Sequence, residues 1–139
     1  MDFKRFGNKI VMRIDRGEEV VQTITKFCKE QSITLASVSG LGAAGKVKVG
    51  LFDVEKKEYF SKVFEGDFEI TNLTGNISTM NGEIYTHLHI TIADHELHAF
   101  GGHLNEAVIC ATCEIVIDII DGMVDREFNE EVGLNTYKF

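Results

Sequence analysis

All five histidines of the chain lie between residues 87 and 103. In a β-strand the side chains alternate between two faces, so His87 and His89 point the same way while Leu88 and Ile90 point the other. Imidazoles that share a face and meet a third imidazole are typical ligands of divalent transition metals. This segment is therefore the candidate functional centre of the protein.

The histidine segment has the pattern of a β-hairpin. A first strand contains His87 and His89, Asp94–Glu96 interrupts the alternation, and residues 97–104 resemble a returning strand. A two-residue loop would place His103 on the apolar face of the hairpin. A three-residue loop at 94–96 places His103 directly opposite His87 and gathers the large apolar side chains on the other face. The pattern therefore favours the three-residue loop.

In this register His87, His89 and His103 converge, because directly opposed side chains start about 5 Å apart and i, i+2 neighbours about 7 Å apart. Gly101 would face His89 and leave the approach to an ion free of a Cβ atom. Three neutral imidazoles leave a coordination position open for water or a substrate oxygen, as in catalytic zinc sites. The pattern predicts a zinc site, or one for another divalent transition metal, that binds or acts on a small oxygen-rich molecule.

The remaining histidines and the cysteines do not form a second site of this kind. His95 in the loop and His98 on the apolar side are interpreted as surface residues. The alternative for His87, His89 and His103 is likewise that they are surface histidines on a polar sheet face. Cys110 and Cys113 form a C-x-x-C string, but positions three apart on a strand face opposite ways. An odd number of cysteines, three, predicts free thiols in a reducing compartment. We expect a cytoplasmic protein.

Length and charge limit the classes of function. A chain of 139 residues with 44% hydrophobic residues is enough for one domain, which we expect to span residues 1–139. No apolar run approaches the roughly 18 residues of a membrane helix. A net charge of −8 without a basic run disfavours DNA as a partner. Strand pairing could still gather some of the lysines into a patch: Lys46, Lys48, Lys56, Lys57 and Lys62.

The elements that must position the histidines are mostly strands. Helical spacing of apolar residues occurs once, over about 18–31, after a capping sequence at Asp15–Glu18. Strand patterns cover about 8–14, 33–38, 46–52, 59–64, 66–79 and 107–119. Ser39–Ala43 is predicted to be a tight turn because of its glycines, and Asn81-Gly82 is a hairpin turn signal. The order predicts an α+β fold, mainly antiparallel β-sheet with one principal helix near the N-terminus.

The segment Gly66–Gly75, together with His87-Leu88-His89, Gly101–Leu104 and Glu114, resembles the plants-and-prokaryotes-conserved (PPC) domain family. The resemblance spans nearly the whole chain and implies an α+β fold, a homotrimer, and histidines available to a divalent metal. The family is similar in fold to acetolactate decarboxylase, in which three histidines hold a zinc that polarises a small keto acid. Bacterial members are usually called predicted DNA-binding proteins. Plant members carry AT-hooks with an R-G-R-P core, which a chain without proline lacks.

Three functions follow from the residues and the resemblance. The first is a metal site for a small molecule, with Glu114 as an acid–base group if its strand lies beside the hairpin. In this hypothesis Arg13 could bind a carboxylate, and Gly101 could lie beside the ligand. The alternative is that Arg13 and Glu114 are solvated surface residues without a role toward a ligand. The second is a DNA-associated regulator, which only the family name supports. The third is a trimeric structural domain with a non-catalytic metal. Whether the protein is an enzyme stays open.

Overall fold

Alternating apolar residues form strands over most of the chain. The computed structural model describes residues 1–139. Its elements are β1 (Asp2–Phe6), β2 (Lys9–Asp15), α1 (Val20–Glu30), β3 (Ala36–Asp53), β4 (Glu58–Met80), β5 (Glu83–Ala93), β6 (Ala99–Ile119), β7 (Asp125–Asn129) and β8 (Leu134–Lys138). All strand pairs are antiparallel except β4 with β7, which meet in a parallel bridge at Thr79 and Asp125. The predicted α+β class, with one helix near the N-terminus, is confirmed.

Strands β3 to β6 form a closed ring. Strand β3 pairs with β4 and β6, and β5 pairs with the same two strands. The β1–β2 hairpin extends the sheet along β6, and the β7–β8 hairpin is attached at the end of β4. The histidine strands β5 and β6 are therefore held from both sides, since a closed ring leaves neither of them as a free edge.

The helix closes one side of the core. It begins after Glu19, whose carboxylate accepts the backbone N–H groups of Val21 and Gln22. The predicted cap at Asp15–Glu18 was wrong, because this segment forms a separate turn in which the Glu18 N–H donates to the Asp15 carbonyl at 3.1 Å. The predicted apolar stripe packs against β5 and β6 through its buried members Val20, Ile24, Phe27 and Cys28. No helix of the protein has the length and apolar character needed to cross a membrane.

The predicted turn at Ser39–Ala43 was wrong, because this segment lies inside β3. Its glycines permit close packing rather than chain reversal. A Cβ on Gly40 would lie 2.8 Å from the Glu114 carbonyl oxygen, and one on Gly42 would lie 2.3 Å from that of Thr112. The ladders shift register at this point, which is where strands use glycine to accept a bulge.

Other turns agree with the sequence pattern. Strand β3 ends at Asp53 and β4 begins at Glu58, as the charged segment between them predicted. Asn81 and Gly82 both have positive φ, 54° and 81°, which a tight hairpin turn of this type requires. The strands predicted at 59–64 and 66–79 form one strand, β4, and β6 combines the returning strand with the one predicted at 107–119. Strands β1, β7 and β8 were not predicted.

Candidate metal site and its cavity

The hairpin that carries the histidines has a longer loop than predicted. His89, not His87, lies opposite His103, and Ala93 pairs with Ala99 across a loop of residues 94–98. The Asp94 carboxylate stabilises this loop by accepting the backbone N–H groups of residues 96 and 98, each at 3.0 Å. The predicted register was therefore wrong by two residues. Because facing repeats every two residues, this slip leaves each side chain on its predicted face.

The three predicted metal ligands lie side by side. The ring centroids are 5.3 Å apart for His87 and His89, 5.1 Å for His87 and His103, and 5.6 Å for His89 and His103. One nitrogen from each ring lies within 4.8 Å of the other two. Ligand atoms on a tetrahedral zinc stand about 3.4 Å apart, so small rotations of the rings would bring them to an ion.

The surroundings of His87 and His103 favour their neutral forms, which can bind a cation. Burial, followed by nearby positive charge at His103, Arg126 and His89, lowers the pKa of His87 from 6.5 to about 4. Burial also lowers the pKa of His103, with a smaller contribution from His89. These two rings are therefore neutral at pH 7, which leaves a lone pair for a metal. The donor set fits a borderline divalent ion such as zinc.

The histidines form the floor of a cavity of about 570 Å³. Its walls come from β3, β4, β5, β6 and the β7–β8 hairpin. The lining residues are Gly50, Leu51, Phe52, Tyr59, Tyr85, His87, His89, Gly102, His103, Leu134 and Asn135. No aspartate or glutamate lines it. An apolar wall with a few polar groups is typical of a small-molecule site.

Tyr59 fixes the wall beside His103. Its hydroxyl donates to Asn105 Oδ1 at 2.7 Å. Its ring meets His103 edge-on at 6.3 Å. Glycine at position 50 makes room for this ring, since a Cβ there would lie 1.9 Å from the Tyr59 hydroxyl oxygen. Tyr59 therefore holds one edge of the third histidine and closes that side of the cavity.

The other residues predicted for the site lie elsewhere. Glu114 is exposed and pairs with Arg13 on the outer face of β2 and β6, and neither lines the histidine cavity. Arg13 instead donates to Asp15 at 2.7 Å. Their predicted roles toward a ligand are not supported by any contact within one chain. No shared cysteine site forms either, because Cys113 is buried whereas Cys110 is partly exposed on the other face of β6.

Gly101 does not face His89, and that part of the prediction was wrong. It pairs with Thr91, and a Cβ on it would lie 2.0 Å from the carbonyl oxygen of Ile90. The absence of a side chain at Gly101 therefore serves the close approach of β5 and β6. Gly102, its neighbour, lines the cavity.

Most residues of the cavity wall were not predicted from the sequence. Tyr85 could have been found, because it lies two residues before His87 and shares its face of β5. Leu134 and Asn135 have no such signal, because they reach the histidines only through the fold of the C-terminal hairpin. His95 and His98 stay on the surface, as predicted, next to the loop acids Glu96 and Asp94.

Comparison with known proteins agrees with the fold. The sequence model of the Plants and Prokaryotes Conserved (PCC) domain, also abbreviated PPC, matches residues 1–121. This match includes all three histidines of the cavity but ends before β7. Among curated proteins, none matches the chain.

Several solved structures are similar over nearly the whole chain, and two of them carry informative descriptions. One is a candidate DNA-binding protein from Bacteroides thetaiotaomicron, with 38% identity, a TM-score of 0.97, and coverage of 99% of this chain and 96% of that one. The other is a metal-containing protein from Archaeoglobus fulgidus, with 30% identity, a TM-score of 0.88, and coverage of 100% and 99%. The first description concerns DNA and the second concerns a metal.

A more distant likeness is to α-acetolactate decarboxylase from Bacillus subtilis. The identity is 17% and the TM-score is 0.59, with coverage of 91% of this chain and 58% of that one. At this identity the likeness concerns the fold alone, and a shared fold does not specify a reaction.

Proposed function

This chain belongs to the Plants and Prokaryotes Conserved (PCC) domain family, and we propose that it uses His87, His89 and His103 to bind a divalent metal, zinc by preference, in a cavity for a small oxygen-rich molecule. The observation that carries the proposal is the convergence of three imidazoles on the floor of a cavity of about 570 Å³. Neutral imidazoles with no carboxylate among them suit zinc better than magnesium or calcium. The metal-containing relative from Archaeoglobus fulgidus supports the same assignment.

The chain's own residues would bind and orient the small molecule. A divalent ion at the histidines supplies a Lewis acid that polarises a carbonyl or acidifies a water. Tyr85 and Asn135 present a hydroxyl and an amide at the wall, which can hydrogen-bond to oxygen atoms. Leu51, Phe52 and Leu134 supply apolar surface that excludes water and strengthens the polar contacts.

Elemental analysis of protein purified without added metal tests this proposal. We expect about one divalent ion per chain and a co-purified small molecule that is released, with the ion, by a chelator. Native mass spectrometry before and after chelation identifies both masses. Protein that contains no metal, and takes up none during dialysis against zinc, would refute the proposal.

The second candidate function is DNA association, which the description of the Bacteroides thetaiotaomicron relative favours. The charges of this chain do not support it. Lys46 forms an ion pair with Glu106 at 2.8 Å. Lys48 pairs with Val63 and Lys62 pairs with Val49, so the two lysines occupy successive rungs of the ladder and face opposite sides of the sheet. The lysines therefore do not form the basic stripe that phosphate binding needs.

We also propose a homotrimer, as the family resemblance implies, and a location in the cytoplasm, as the sequence predicts. Exposed apolar residues on the outer face of β2, β3 and β6 support assembly through this face. Val11 and Val116 pair there, with Leu41 close by on β3, and their side chains are 48%, 39% and 57% exposed. Exposed apolar patches of this kind are typical of protein contacts. The three free cysteines fit a reducing compartment.

A further inference from the structure

The β7–β8 hairpin completes the histidine cavity, although it lies beyond the family match that ends at residue 121. It contributes Leu134 and Asn135 to the wall. At its tip the Lys57 ammonium donates to the Glu130 carbonyl at 2.7 Å, which joins the hairpin to the turn between β3 and β4. The hairpin therefore spans the cavity from the end of β4 to the tip of the β3–β4 hairpin.

A buried arginine holds the other end of this hairpin. Arg126 is 6% exposed. Its Nε donates to Ser78 Oγ at 2.8 Å and one Nη donates to Asn76 Oδ1 at 3.0 Å, both on β4. The other Nη donates to the Asn135 carbonyl at 3.0 Å. The guanidinium thus joins the backbone of Asn135 to β4 and sets the position of its side chain in the wall.

The charge of Arg126 has no counter-ion. Its three acceptors are neutral. The guanidinium lies between the rings of Tyr85 and Tyr137, at 4.7 and 4.3 Å from their centroids. Neither adjacent acid forms an ion pair with Arg126, since Asp125 accepts the Thr79 hydroxyl and Glu127 pairs with Lys138. The burial of a charge costs free energy when no opposite charge lies nearby, and an oppositely charged ligand would reduce this cost.

The cavity beside this arginine has no negatively charged residue in its wall. None of the 22 acidic residues of the chain lines it, although the net charge of the protein is −8. Tyr85 contacts the guanidinium with its ring and lines the cavity, and Asn135 accepts from the guanidinium through its carbonyl and also lines the cavity. The positive charge is therefore one side chain away from a bound molecule. A divalent ion bound by the neutral imidazoles would add further positive charge to the cavity.

We propose that the β7–β8 hairpin selects the ligand of the histidine cavity, and that this ligand is a small anion such as a carboxylate. Asn135 contacts the anion, Arg126 is a positioning residue that also supplies uncompensated positive charge, and Leu134 limits size. The inference rests on the proposed metal site and adds the charge class of the ligand, which the histidines alone leave open.

The test uses the cobalt-loaded full chain and compares acetate with acetamide, which have nearly the same shape but differ in charge. Each is titrated against the visible spectrum of the bound cobalt, and the ratio of the two dissociation constants measures the preference for the anion. We expect acetate to bind more tightly. Arg126→Met should reduce this ratio about tenfold, as loss of a nearby charge in a partly desolvated site predicts.

A second variant covers the case in which Arg126→Met does not fold. Asn135→Asp keeps the side-chain size and the backbone acceptor of Arg126 but places a negative charge in the wall, so the ratio should again fall about tenfold. The matched control is Arg16→Met, which removes an exposed arginine that does not line the cavity. We expect the native ratio in this control.

The outcomes separate the two proposals. If the native chain binds no cobalt, the metal site fails and the inference fails with it. If cobalt binds but acetate is not preferred, or the folded variants keep the native ratio, only the anion inference is wrong. Equal weakening of acetate and acetamide by Arg126→Met would show that Arg126 orders the wall without selecting charge, which also overturns it.

Discussion

His89 on β5 lies directly opposite His103 on β6, and their rings meet nearly at right angles with centroids 5.6 Å apart. The backbone ladder between the strands therefore fixes two of the three imidazoles, and His87 joins them from two residues along β5. A site built on paired strands holds its ligands more rigidly than one built on loops. The histidines can consequently be changed singly without changing the strands that carry them.

His103→Ala should abolish stoichiometric metal binding and leave the fold intact, because the ring lies off the apolar core. The matched control is His95→Ala, which removes an exposed imidazole from the loop of the same hairpin. Elemental analysis should find about one ion per chain in the control and almost none in His103→Ala, with unchanged circular dichroism in both. Metal content that is equal in the two variants would contradict the proposed ligand set.

The metal-free protein should lose stability in acid in a way that depends on His87. Burial lowers the pKa of this residue to about 4 in the folded chain, whereas an unfolded histidine has a pKa near 6.5. Between these values the unfolded chain binds more protons, so the free energy of unfolding falls as the pH falls.

Urea denaturation in the presence of a chelator measures this effect at about pH 7 and about pH 5. His87→Gln should lose less stability between these two pH values than the native chain does. His95→Gln is the control and should behave like the native chain. An identical acid dependence in all three proteins would argue against a buried, neutral His87.

Gly101→Ala should destabilise the protein, because the new Cβ would lie 2.0 Å from the Ile90 carbonyl oxygen and would separate β5 from β6. We expect a loss of about 1–3 kcal/mol, the usual range for overpacking. Thermal and urea unfolding measure it. A variant with native stability and only weaker ligand binding would instead support the role that the sequence predicted for Gly101 beside the ligand.

Light scattering should give three times the chain mass of 15.6 kDa. Val116→Lys should shift the mass toward that of one chain, because it places a charge in the exposed apolar face proposed for assembly. Native protein at the monomer mass would disprove the trimer. A trimer that persists in Val116→Lys would show that assembly uses another surface.

The protein should not bind DNA tightly at physiological salt. Affinity for a phosphate backbone comes from releasing counterions at several basic groups, and the lysines here are dispersed or paired with acids. We expect a dissociation constant weaker than about 10⁻⁶ M at about 150 mM salt in a mobility-shift assay. Tighter binding that weakens steeply with salt would favour the regulatory function over the small-molecule function.

Local spacing in the sequence was enough to predict the helix, the hairpin turn at Asn81-Gly82 and the shared face of the three histidines. These features depend on periods of 3.6 or two residues, which can be read along the chain without knowing its partners. The family resemblance was likewise carried by short segments, and the comparisons confirm it.

Only the tertiary structure decided which residues meet. The pairing of His89 with His103 differs from the predicted pairing by two residues, and a slip of two leaves the pattern of faces unchanged, so alternation could not detect it. The glycines of Ser39–Ala43 were predicted to turn the chain, but the close approach of β6 makes them part of a strand. Asn135 reaches the histidine cavity from a hairpin far along the chain, where Arg126 joins it to β4. Such non-local contacts leave no period in the sequence.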